Sequence, residues 1–118
     1  MNSAVITSEI SAQNLLSDDQ VADFVINGYH IVDPQFPTEF HLQIYNELEA
    51  LPTNPGDEIN TAVPAIDEVY EHPAVRGALS SLLGADYTRA THRHCHRNHP
   101  GTRSQAWHQD SLNIPTLD

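Results

Sequence analysis

The first sustained apolar pattern begins after Ser17, where Val21, Phe24 and Val25 recur at helical spacing. Ser17 and Gln20 stand at the separation of a capping box, and Leu16 with Val21 can form the hydrophobic staple across it. Gly28 sits where a left-handed residue closes a helix. Tyr29, His30, Ile31 and Val32 then read as a short strand. A second stripe, Phe40, Ile44, Leu48 and Leu51, marks one face of a helix capped at Thr38 and ending near Ala50. Pro52 and Asn54-Pro55-Gly56 close it in a loop. Residues 57–71 carry a weaker pattern, with one helical turn over 65–70. Pro73 suits the first turn of a third helix. Val75, Leu79, Leu82 and Leu83 predict its buried face, and Gly84 its end.

Beyond Gly84 the pattern changes. Residues 87–98 contain β-compatible side chains and neither Gly nor Pro. On a strand, His92, His94 and His96 share one face and Arg93, Cys95 and Arg97 the other. Pro100-Gly101 predicts a turn, and residues 105–112 a second extended segment. Helices first and strands last predict an α+β fold rather than alternating βαβ units. The polar stretch 1–14 reads as a flexible lead-in, and 15–118 as the folded part, of a length that suits one domain.

Charge sharpens this division. The chain has 16 acidic and 5 basic residues, for a formal charge of −11. Such a surface disfavours nucleic acid and anionic membranes as partners. Residues 1–75 hold 13 of the acids and no Lys or Arg, whereas residues 76–118 hold all five arginines and five of the eight histidines. Candidate chemistry therefore concentrates in the C-terminal third. The alternative is a solvated acidic helical face beside an ordinary loop. Cys95 is the single cysteine, which excludes an internal disulfide and fits a reducing, cytoplasmic compartment. No signal-peptide pattern and no membrane-length apolar run occurs.

Trp107-His108-Gln109-Asp110 carries the first metal-ligand candidate. On an extended backbone the i, i+2 spacing puts His108 and Asp110 on one side, where an imidazole nitrogen and a carboxylate oxygen can share a metal. With 8 histidines and 16 acids, chance alone supplies about one His-x-Asp, so the motif has weight only in context. The run from His92 to His99 offers alternate histidines for zinc or another divalent ion, or simply a polar lining. Cys95 reads as a small buried residue before it reads as a nucleophile. The arginines among the histidines suit a carboxylate or phosphate, or serve charge balance.

Taken in order, these segments resemble the phytanoyl-CoA dioxygenase family. The resemblance rests on Leu16-Ser17-Asp18-Asp19-Gln20 with Phe24 and Gly28-Tyr29, on the His-rich segment ending in Asn98-His99-Pro100-Gly101, and on Trp107-His108-Gln109-Asp110-Ser111. It spans about residues 15–113. It implies an Fe(II)/2-oxoglutarate-dependent dioxygenase that hydroxylates a small-molecule substrate. The implied fold is N-terminal helices followed by the first strands of a double-stranded β-helix, a cupin-like jelly roll. His108 and Asp110 match the first two iron ligands. Gln109 matches a position that contacts the cosubstrate, and Cys95 is placed on a strand lining the same pocket.

The resemblance also implies a third histidine ligand and a 2-oxoglutarate-binding arginine well downstream of Asp110, with no match in this chain. The expectation is therefore an incomplete, N-terminal portion of such a domain, inactive alone and completed by another chain or a second copy. The alternative is a non-catalytic His-rich metal-binding or interaction domain.

Overall fold

Prolines set most of the helix boundaries. The residue before a proline is pushed out of the helical region by the pyrrolidine ring. Leu51, Val63 and His72, each followed by proline, are extended or irregular and close a helix. The computed structural model describes residues 10–93 and 95–107. It contains α1 (Asp18–Asn27), α2 (Thr38–Ala50), α3 (Ile59–Ala62), α4 (Ala65–Glu71) and α5 (Pro73–Leu83), with single 3-10 turns at Ala12–Asn14 and Gly56–Glu58.

The caps follow from local sequence. Ser17 Oγ accepts the Gln20 N–H at 3.3 Å while Gln20 Oε1 accepts the Ser17 N–H at 2.9 Å, completing the capping box of α1. Asp18 and Asp19 add negative charge at the positive end of its dipole. Gly28, at φ +80°, ends the helix and donates its N–H to Phe24 O. α2 begins at the expected Thr38, but Pro37 takes the cap position and no side chain caps it. α5 starts with Pro73 at its first position. There the imidazole Nδ1 of His72 accepts the Ala74 N–H at 3.2 Å, which places any neutral-ring proton on Nε2.

The core is small. Ile59, Val63, Ala65 and Ala78 are buried, with Val63 fully so, and α5 packs on α4 and on the turn Ala12–Asn14. The buried face of α5 is therefore Gly77-Ala78; Val75, Leu79 and Leu82 are half-buried and Leu83 is exposed. The reason is the close approach of the chain at Asn14. A Cβ at position 77 would lie 1.8 Å from Asn14 O and 2.5 Å from Asn14 C, so only glycine lets the backbones meet here. Ser81 reinforces the contact. Its hydroxyl donates to Gly77 O and accepts the Leu16 N–H, both at 2.9 Å.

α1 and α2 contribute no fully buried residue. On α2 the expected stripe is only half-buried. Phe36 stacks on Phe40 at 4.3 Å and meets the His72 ring edge-on at 5.0 Å, holding the loop before α2 against the start of α5. The Cα radius of gyration is 17.2 Å, against about 13–14 Å for a compact domain of this length. Val25, Ile26, Tyr29 and Ile31 are 65–78% exposed.

The expected α+β fold is overturned. Helical turns make up 53% of the described residues, and there is no strand or sheet among them. Neither 29–32 nor the described part of 87–107 has a ladder partner, so neither belongs to a jelly roll here. The physical reason is that a β-compatible run becomes a strand only when its N–H and C=O groups pair with another strand. Polar groups of Arg89, His92, Arg93, Cys95 and Arg97 meet the preceding part of the chain instead. The turn at Pro100-Gly101 does form, with Gly101 at φ +86° and Thr102 N–H on His99 O. No helix among the described residues is long and apolar enough to cross a membrane.

Candidate functional site

The basic segment after α5 lies against the preceding part of the chain through the side chains or amides of Arg89, His92, Arg93 and Arg97 and the carbonyl of Cys95. Arg89 Nη1 is 2.9 Å from Asp67 Oδ1 and Nη2 is 3.7 Å from Glu71, while its guanidinium stands 5.2 Å from the centre of the Tyr70 ring. His92 Nδ1 lies 3.2 Å from Asp57 Oδ1. Arg93 donates its backbone N–H to the same oxygen at 2.9 Å and Nη1 to Asp57 O at 3.4 Å. Arg97 donates to Leu48 O at the end of α2.

His92 and Arg93 thus converge on one carboxylate, where strand geometry would have put them on opposite faces. Arg89, Arg93 and Arg97 serve charge balance and docking of this segment. Asp57, Asn54 and Asp67 were not singled out by the sequence. The turn composition of Asn54-Pro55-Gly56-Asp57 was the available signal, since Asn and Asp side chains bond readily to nearby backbone.

Asp57 is held below its ordinary value of 3.8, first by the Arg93 N–H bond, which outweighs the opposing effect of desolvation, and then by the charge and hydrogen bond of His92 and the charge of Arg93. A carboxylate with a depressed folded value contributes stability above its unfolded value and loses it as pH falls through the folded value. The Arg93 amide should therefore be protected from hydrogen exchange at neutral pH and lose that protection below about pH 4. Asp57→Asn should remove most of the protection at pH 7 while leaving the amides of α5 unchanged. Equal Arg93 exchange in the two proteins would show that Asp57 does not hold this segment.

Cys95 is a free, half-buried thiol, and its backbone carbonyl accepts the Asn54 side-chain N–H at 2.7 Å. It therefore sits beside the 54–57 loop. Past it, the chain turns at Pro100-Gly101 and encloses an open cavity of about 360 Å3 lined by His96, Asn98, Thr102, Arg103, Ser104 and Gln105. The candidate ligands His108 and Asp110, and Gln109 between them, lie outside the described residues, as does His94. The described residues bring together no three His, Cys, Asp or Glu side chains that could hold a metal ion. The chain matches no protein-family model, no curated protein and no solved structure.

Proposed function

We propose that this chain contributes the first two iron ligands, His108 and Asp110, to an Fe(II)/2-oxoglutarate-dependent dioxygenase of the phytanoyl-CoA dioxygenase kind. One observation carries the reading: the ordered run of a capped helix ending in Gly28-Tyr29, the Pro100-Gly101 turn, and Trp107-His108-Gln109-Asp110-Ser111. The formed capping box and the formed turn support it, because each is the local geometry those motifs require.

One imidazole and one carboxylate suit Fe(II) as donors. Bound iron would supply oxidative chemistry with 2-oxoglutarate and a small-molecule substrate. Gln109 and Cys95 would border the cosubstrate. The remaining iron ligand and the cosubstrate arginine that the resemblance implies have no match among these 118 residues. The single cysteine suits a cytoplasmic setting.

Calorimetric titration of the full chain with Mn(II), in place of oxidisable Fe(II), tests the assignment. His108→Ala and Asp110→Ala should each weaken binding by at least about tenfold, since loss of a group that touches the metal costs no less than the roughly 10–100-fold lost with a group that only supports a ligand. His92→Ala, whose imidazole is engaged with Asp57, should leave binding unchanged. Loss of binding in His92→Ala with Asp110→Ala unaffected would sink the proposal and move the site into the His-rich run.

A second reading, a non-catalytic interaction domain, is favoured by the apolar residues left uncovered. Val25, Ile26, Tyr29 and Ile31 stand together in sequence, and Leu42 and Tyr45 on α2 are 54% and 60% exposed. Absence of Mn(II) binding in the unmodified chain would favour this reading.

A further inference from the structure

The cavity beyond the Pro100-Gly101 turn has a composition opposite to that of the chain around it. Acids outnumber bases 16 to 5 overall, yet among the described residues no carboxylate lines this cavity. Residues 87–109 contain no Asp or Glu at all. The lining is one guanidinium, one imidazole, two hydroxyls and two side-chain amides, every one capable of donating a hydrogen bond.

Arg103 stands apart from the other arginines. Arg76 and Arg89 face carboxylates, and Arg93 and Arg97 bond to backbone carbonyls. Arg103 has no hydrogen bond or ion pair among the described residues. A guanidinium at the edge of a donor-lined cavity, with no partner among the described residues, presents a planar fork suited to a carboxylate or phosphate. The Thr102 hydroxyl is already committed to His99 O at 2.8 Å, and the Thr102 N–H to the same oxygen at 3.1 Å. These bonds fix the turn and so fix where Arg103 and Ser104 emerge. Asn98, before the turn, faces the same space from the other side.

We propose that this cavity binds the oxyanion of a small molecule, a carboxylate or a phosphate group. Arg103 supplies the charged contact, with Asn98, Ser104 and Gln105 as hydrogen-bond donors. A volume of about 360 Å3 falls at the small end of ligand pockets and suits a headgroup rather than a whole cofactor. The site requires neither iron nor 2-oxoglutarate and stands whether or not His108 and Asp110 bind metal.

The test is an amide-shift titration of the full, metal-free chain, at low ionic strength, with two probes in separate arms: inorganic phosphate and malonate. Saturable shifts confined to residues 96–105 are expected with at least one probe, and the stronger arm identifies the group preferred. Arg103→Gln, an exposed change that leaves the helical core untouched, should raise the dissociation constant by about tenfold or more. Arg103→Lys, which keeps the charge and loses the fork, should fall between. Added sodium chloride should weaken binding. No saturable shift at 96–105 with either probe, or equal affinity in Arg103→Gln, would overturn the proposal.

Discussion

Val63→Asp should abolish the cooperative unfolding of the helical part, with loss of most of the ellipticity at 222 nm. Among the described residues Val63 is the one large side chain with no exposure at all, set where α3 ends and α4 begins. A carboxylate there has no described cation to meet. Burying a charge without a partner costs at least several kcal/mol, which is comparable to the whole net stability of an ordinary domain, about 5–15 kcal/mol. The margin here is thin, because the buried apolar set among the described residues is only Ile59, Val63, Ala65 and Ala78. Val63→Ala, which removes only packing, should cost about 1.5–3 kcal/mol. Val25→Asp, at a side chain that is 75% exposed, should leave the urea midpoint unchanged. A wild-type midpoint in Val63→Asp would mean that the folded core lies elsewhere.

That core was only partly legible in the sequence, and the reason is physical. Caps and breakers are local, so Ser17, Gln20 and Gly28 identify α1, and Pro73 and Gly84 bracket α5, without knowledge of the rest of the chain. The buried face of α5 is not local. Its apolar stripe suggests Val75, Leu79 and Leu82, but Asn14 approaches at Gly77-Ala78 and the small residues become the contact. The β-compatible run after Gly84 likewise shows what its residues tolerate, not what they pair with. Arg89, His92 and Arg93 find Asp67 and Asp57, and no ladder forms among the described residues. For the site, the charge asymmetry pointed to chemistry in the C-terminal third, and the contacts seen are instead those of the alternative, charge balance between the basic segment and the acidic part. The asymmetry did not show that, among the described residues, four of the five arginines are engaged by protein groups while Arg103 lines the cavity beyond the turn.

Asp67→Ala should destabilise the chain by about 1–3 kcal/mol, well beyond the loss in Arg89→Ala. Both substitutions break the 2.9 Å ion pair between Arg89 and Asp67, whose side chains are each more than a third exposed. Water screens such a pair, and its own worth is no more than about 1 kcal/mol. Asp67 has a second role. The same Oδ1 accepts the side-chain N–H of Asn60 at 2.7 Å, and Asn60 is a buried polar residue, 9% exposed, whose Oδ1 already lacks a partner. Without Asp67 both ends of that amide are buried and unsatisfied, whereas without Arg89 the Asn60–Asp67 bond survives. Removing the stranded group as well should recover part of the loss, since two partners replaced together by apolar groups leave no unmet donor. Asn60→Leu combined with Asp67→Ala is therefore expected to unfold at a higher urea concentration than Asp67→Ala alone. Equal losses in Asp67→Ala and Arg89→Ala, with no recovery in the double variant, would place the energy in the exposed ion pair and refute the role given to Asn60.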